Sequence, residues 1–350
     1  MGLIEDFDII KIFLLTTVAF IVAISWTPLL THYLYKYKFG KTIRPEDETP
    51  IFSKMHQKKS GTPTMGGILI WLTTLFIILL FFVLGELVNI EFIKKLNFLS
   101  RPETLLPLGA LIASALVGLV DDLFNVKGVG AKGGGLKIRY KLIIYALIAI
   151  VGSLWFYFKL DWTTLHLPFI GDFDIGIWYI PFFILVIVAT AFSVNESDGL
   201  DGLAGGILLA AFGAFGAIAF AQGKIELATL CGVIIGALLA FLWFNINPAR
   251  FFMGDTGSMS LGVTLGIVAM LTNSALLLPI IGVLLVLESV SVIIQVTSKK
   301  IFKRKVFLSA PIHHHLEAKG WSEPKIVMRF WIISGVAAVV GVIMYLVDKS

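Results

Sequence analysis

The chain has 350 residues, of which 57% are hydrophobic and only 15% charged, and its mean hydropathy is +0.91. Soluble domains carry about 25% charged residues, so a water-exposed surface built from this composition would be a continuous apolar patch, which excludes a soluble globule. The net charge of +5 reads as the basic bias of cytoplasmic loops rather than a nucleic-acid surface, and a single cysteine, Cys231, excludes an intramolecular disulfide.

The N-terminal MGLIEDFDIIK lacks the basic start of a signal peptide, and the apolar run after it is too long for one, so it reads as a retained first helix. Apolar stretches of spanning length follow at 9–35, 65–84, 104–120, 142–158, 178–194, 203–221, 225–244, 258–272, 275–297 and 326–347. A span needs about 20 residues, so the eighth is short and reads as tilted or partly re-entrant. The expected fold is an all-α integral membrane protein, one polytopic domain over residues 1–350 with about ten transmembrane helices. Ten spans put both termini on one side. The loops 36–64, 121–141, 195–202, 245–257 and 298–329 hold 21 of the 28 Lys and Arg residues, so they are assigned to the cytoplasm. The acidic start (Glu5, Asp6, Asp8) and the loop with Asp161, Asp172 and Asp174 then face outward. No internal repeat is evident, which weakens a transporter reading.

Polar residues gather in those cytoplasmic loops: KKSGTPTMGG (58–67), VDD (120–122), NESDGLDGLAGG (195–206), NINPARFFMGDTGS (245–258) and SAPIHHHLEAKGW (309–321). Asp121 and Asp122 follow an apolar run and are expected at a helix C-terminus, where two carboxylates oppose the dipole. Lys127, Lys132 or a metal would compensate them, and side chains about 100° apart on a helix would do different jobs. Asp198 and Asp201 precede the sixth helix. They read either as N-caps or, with Gly199, Gly202 and Gly205, as a glycine-rich turn that admits phosphate. Asp255 likewise reads as a cap, in competition with Thr256 and Ser258, or as a hard oxygen ligand for Mg2+. His313, His314 and His315 splay around a helix and make a poor zinc site; imidazoles that bind diphosphate or sugar oxygens fit better. Glu288, Ser291 and Gln295 share one face of the ninth helix. An acid so deep in a span must face protein or water, either as a buried hydrogen-bonded acid or as part of an active-site cleft.

GTPTMGG (61–67), the Asp121–Asp122 pair, DGLDGLA (198–204), NPARFFMGDTGS (247–258) and PIHHHLEAKGWSE (311–323) together resemble the phospho-N-acetylmuramoyl-pentapeptide transferases, in that family's order through nearly the whole chain. The resemblance implies a membrane enzyme of bacterial peptidoglycan synthesis in the cytoplasmic (inner) membrane, with its active site in a cytoplasmic-face cleft. It implies transfer of phospho-MurNAc-pentapeptide from UDP-MurNAc-pentapeptide to undecaprenyl phosphate, with Mg2+, giving lipid I and UMP, and it allows a homodimer. No nucleic-acid partner is expected. The resemblance carries over Asp255 as the Mg2+ ligand, and Asp121 and Asp122 as a pair that binds metal or deprotonates the lipid phosphate. It places Asn195, Asp198, Gly199, Leu200 and Asp201 in the uridine and substrate pocket. Lys59, Thr64, Lys141, Asn245, Phe252, Gly254, Ser258, Gln295, His313 and His314 match other pocket positions, with His313 also counted as catalytic.

Two departures stand out. Glu196 and Ser197 replace an apolar residue and Thr before DGLDGLA, and Asn125 stands where the family tends to have Lys, with Lys127 as the substitute. Two rival readings remain: a sister enzyme that moves GlcNAc-1-phosphate to a polyprenyl phosphate, and a transporter or flippase, against which stands the single deep acid, Glu288.

Overall fold

A computed structural model describes residues 3–40, 59, 61–100, 103–130 and 134–349. Much of the basic 36–64 loop, Lys58 and Lys132 lie outside the described residues. The elements in chain order are α1 (Leu3–Lys36), α2 (Ile68–Leu87), the short α3 (Glu91–Leu96), α4 (Leu105–Val126), α5 (Ile138–Lys159), a hairpin of β1 (Thr164–Leu167) and β2 (Gly171–Asp174), α6 (Tyr179–Ser197), α7 (Leu203–Ala221), α8 (Ile225–Asn245), α9 (Gly254–Leu271), α10 (Leu278–Ile281), α11 (Val283–Ile301), α12 (Ile312–Ala318) and α13 (Glu323–Lys349). Among the described residues nine helices are long and apolar enough to span a bilayer, and a tenth forms if the bent pair at 275–301 counts as one. The all-α membrane fold holds.

The short eighth span is the centre of the bundle. In α9, 94% of the residues are buried, against 22% of the apolar window of the N-terminal span. It packs on α4, α6, α7 and α2. A helix walled by protein needs no lipid-facing surface, so α9 carries Ser260 and Thr264, whose hydroxyls bond carbonyls of their own helix, Thr256 and Ser260 respectively. Its glycines allow close approach: a Cβ on Gly262 or Gly266 would run into α6 at Ala191 or Ile187.

Three boundaries differ from the sequence reading, and each bears on the site. α4 continues past Val120 to Val126, so Asp121 and Asp122 sit inside the last two turns rather than beyond the helix. α5 begins at Ile138, which takes Lys141 into its first turn. The ninth span is broken: Ala275–Ile281 and Val283–Ile301 meet at 83°. The break falls at Gly282, whose φ of −99° and ψ of 35° leave the helical region.

At the end of the bundle remote from the motif loops, the β1–β2 hairpin grips α13. His166 places Nδ1 2.7 Å from Asp172 and Nε2 2.5 Å from Asp348, and the same Asp348 accepts from the Phe169 N–H.

Candidate active site

The site is built around the N-terminus of α9. A helix leaves its first N–H groups without intrahelical partners, and none of the residues of α9 caps them: Met253 is at the cap position and makes no side-chain bond. Carboxylates from other elements do so instead. Asp122, near the end of α4, accepts from Asp255 N and Thr256 N, each at 3.0 Å. Asp198, just after α6, accepts from Gly254 N at 3.1 Å. The approach is close enough that only glycine fits at 254. Its φ is +73°, and a Cβ there would strike Asp122 Oδ2 and Thr64 Oγ1. Thr64 Oγ1 itself donates to Asp122 Oδ1 at 3.3 Å.

Because Asp122 and Asp198 satisfy the helix, the Asp255 carboxylate is left for other work. Its Oδ1 receives Lys141 Nζ at 2.8 Å and also the Asn195 amide, which donates to Ser258 Oγ at 2.9 Å as well. Neither of the bonds to Asp255 uses Oδ2. Lys141 also lies 2.8 Å from Asp121 Oδ2, and Asp121 Oδ1 accepts from the Leu136 N–H. The cation that compensates the Asp pair is therefore Lys141, brought in by α5. Lys127 is exposed at the end of α4 and Lys132 lies outside the described residues. Lys141 pairs with two carboxylates, Asp121 and Asp255, while Asp122 and Asp198 accept from backbone N–H groups at the same helix start. The excess negative charge suits a divalent cation, and oxygen donors suit Mg2+, which takes one or two carboxylates and completes its shell with phosphate and water. No group of three or more His, Cys, Asp or Glu side chains among the described residues forms a ready-made metal cage.

A second polar cluster adjoins the first. Lys59 Nζ is 2.6 Å from Asp201 Oδ1 and 2.5 Å from Glu323 Oε1, and it lies 5.9 Å from the centre of the Phe252 ring. Asp201 Oδ2 accepts from Asn247 Nδ2 and Ala249 N, and Glu323 Oε1 accepts from Asp201 N. Asn245 uses both ends of its amide to tie two loops, accepting from Gly202 N and donating to Phe251 O. Gly202 holds the cap position of α7 with φ +81°; Asp201 is taken up by Lys59, Asn247 and Ala249, and Asp198 accepts from Gly254 N at the start of α9.

The His run comes from α12. His313 and Glu288 are both wholly buried, with Nδ1 and Oε2 2.8 Å apart. His314 Nδ1 is 2.7 Å from Glu317 Oε2, and the two rings lie 4.0 Å apart between centroids. Both rings face the DGLDGLA turn: a Cβ on Gly199 would overlap His313 Nε2 and come within 3.3 Å of His314 Nε2. His315 points elsewhere. Its Nδ1 accepts from Leu308 N, and burial, with Lys319 nearby, holds its imidazole below the ordinary 6.5.

The structure thus brings Lys59, Thr64, Asp121, Asp122, Lys141, Asn195, Asp198, Gly199, Leu200, Asp201, Asn245, Phe252, Gly254, Asp255, Ser258, His313 and His314 to one end of the bundle. Gln295 is placed differently from a pocket residue. Its Oε1 accepts from Val306 N and Phe307 N and its Nε2 donates to Phe307 O, so it pins the loop before the His run. Of the two departures, Ser197 turns its hydroxyl back to Ser193 O within α6, and beside Asn125 the lysine that pairs with Asp121 is Lys141. Sequence reasoning missed Glu317 and Glu323. Glu323 opens α13, where an acid is explained by the helix dipole alone, so nothing local marked it.

The sequence model of glycosyl transferase family 4 matches residues 104–273, and the phospho-N-acetylmuramoyl-pentapeptide-transferase signature 1 matches residues 59–70. A phospho-N-acetylmuramoyl-pentapeptide-transferase of Chloroflexus aggregans is 38% identical over 98% of this chain and 92% of its own length. Those of Clostridium kluyveri and Listeria welshimeri are 39% and 40% identical, each over 93% of this chain and 96% and 95% of their own lengths.

Proposed function

The chain belongs to the phospho-N-acetylmuramoyl-pentapeptide-transferases, and we propose that it works as one: it moves phospho-MurNAc-pentapeptide from its UDP carrier to undecaprenyl phosphate, releasing UMP and forming lipid I. The observation that carries this reading is the trans-capped N-terminus of α9, which frees Asp255 beside Lys141 and Asn195. The Lys and Arg bias supports a cytoplasmic position for this face, where a water-soluble nucleotide would meet a lipid acceptor at the membrane surface.

In the reaction an oxygen of the lipid phosphate bonds to the phosphorus that bears the sugar, and the bond from that phosphorus to the UMP oxygen breaks. The protein has positioning and charge stabilisation to supply. Asp255 would hold Mg2+ through the oxygen left by Lys141 and Asn195, and the ion, when bound, offsets the charge of the diphosphate and of departing UMP. Lys141 pairs with both Asp121 and Asp255 and offsets part of their mutual repulsion. Asn195, fixed between Asp255 and Ser258, orients the carboxylate. The pair supplies the base that takes the acceptor's proton: Asp122 is held by two backbone N–H groups, and Asp121 by Lys141 and the Leu136 N–H. His313 and His314 face the Gly199 turn and bind donor oxygens.

The test is purified protein with UDP-MurNAc-pentapeptide, undecaprenyl phosphate and Mg2+, assayed for UMP, with a chelator arm and a UDP-GlcNAc arm. UMP release that needs Mg2+ and the muramoyl donor supports the reading. Release from UDP-GlcNAc alone assigns the sister activity, and no release from either donor refutes both.

A further inference from the structure

Glu288 is a buried acid in α11, the longer half of the bent apolar pair at 275–301, and at the centre of a span insertion of a charge costs about 2.5–3.5 kcal/mol. Its exposure is 0%, and so is that of its partner His313. Their contact engages only half of each group. Among the described residues, Glu288 Oε1 and His313 Nε2 are buried without a hydrogen-bond partner. Buried polar atoms are seldom left so. An orphan at Nε2 is the more telling of the two, because that nitrogen faces Gly199 in the substrate turn, and no Cβ fits between.

A carboxylate at Nδ1 has a definite consequence. It accepts the Nδ1–H, so the other nitrogen is the one turned outward. As a neutral ring, Nε2 offers a lone pair; as an imidazolium, held beside a carboxylate, it offers an N–H to an anion. The placement of both rings depends on this pair, because α12 is a short helix whose His313 side chain is anchored in α11 by Glu288. Gln295, two turns further along α11, pins the loop that leads into α12, and Ser291 turns its hydroxyl to Glu288 O. The polar face of α11 therefore forms a rail that seats the His segment.

We infer that Glu288 is a positioning residue for the transfer: it fixes His313 with Nε2 turned to the Gly199 turn, so that this nitrogen meets a phosphate or sugar oxygen of the UDP-linked donor when the turn moves aside. Glu288 acts through His313 and touches no reactant. The inference rests on the donor-site reading of His313 given under the proposed function.

The experiment compares wild type, Glu288→Gln, His313→Ala and the double variant for melting temperature and for UMP release with UDP-MurNAc-pentapeptide. Gln keeps the volume and an acceptor for Nδ1–H, so the melting temperature should stay close to wild type. Turnover efficiency should fall about 10- to 100-fold, the scale for residues that orient a ligating or catalytic imidazole. In the His313→Ala background the same change should have almost no further effect on turnover. Wild-type efficiency in Glu288→Gln, or losses that multiply in the double variant, would overturn the inference. Should Glu288→Gln fail to fold, ring 15N NMR of wild-type protein, with His313 assigned by difference against His313→Ala, decides instead. The expected state has a proton on Nδ1 and an Nε2 resonance that moves when the UDP-linked donor is added. An Nδ1 without a proton, or an Nε2 indifferent to the donor, overturns it. Absence of UMP release by wild type is a different result, and it strikes the proposed function itself.

Discussion

Replacing Asp122 separates structure from chemistry in the Asp pair. Its carboxylate is 3% exposed and accepts two N–H bonds at 3.0 Å from the first turn of α9. Each bond to a charged group is worth about 1.5–3 kcal/mol, and a negative charge at a helix N-terminus adds up to about 2 kcal/mol in a partly buried setting. These terms overlap, so Asp122→Ala should destabilise the protein by about 2–4 kcal/mol. Asp122→Asn keeps one acceptor oxygen and the volume, and should cost about half as much. The sign opposes what the C-terminal end of α4 alone suggests. There a carboxylate is unfavourable, but the same carboxylate stands at the positive end of α9, and that helix decides. Unfolding of detergent-solubilised protein by heat or denaturant measures the loss, and amide exchange at Asp255 and Thr256 localises it. Turnover should fall as well, because Asp255 moves with its helix end. Full stability of Asp122→Asn together with lost turnover would refute the capping role and place Asp122 in contact with the reactants.

Asp255→Asn should lower UMP release by 10²-fold or more, yet lower the unfolding midpoint only modestly, since the side chain caps nothing and the amide oxygen still accepts from Lys141 and Asn195; near-normal turnover at low Mg2+ would remove Asp255 as the metal ligand. Gly199→Ala should drive a methyl into His313, which Glu288 holds in place, and cut turnover at least about tenfold at a stability cost of about 1–3 kcal/mol; unchanged kinetics would show that the turn yields freely. The neutral ring of His315 accepts from Leu308 N, and burial and Lys319 disfavour its charged form. The folded state thus binds this proton less readily than the unfolded chain, so its stabilising effect is present above pH 6.5 and is lost as pH falls through the lower folded value. The protection factor of the Leu308 amide should drop between pH 7 and pH 5; a rise on acidification would contradict the assignment.

The membrane class, the number of spans and the gathering of the motif loops at one end of the bundle were legible because they depend on local composition: about 20 apolar residues in a row need a bilayer, and Lys and Arg need water. The sequence also supplied most of the site, since its Asp, Asn, Gly and His residues cluster in a few loops. What each does was not legible. Asp122 looked like an acid at the wrong end of a helix, and Asp255 like either a cap or a metal ligand, because a sequence shows only the helix a residue belongs to. The tertiary structure reverses the first, and takes capping from the second, by bringing α4 against the start of α9. It names Lys141 rather than Lys127 as the counter-charge, pairs Glu323 with Lys59 and Asp201 across 264 and 122 positions of chain, and gives Glu288 to His313. Composition and periodicity determine which residues must leave water. Which buried charge answers which is decided only when distant helices pack, because an ion pair or an N–H cap acts over about 3 Å of space and is indifferent to separation along the chain.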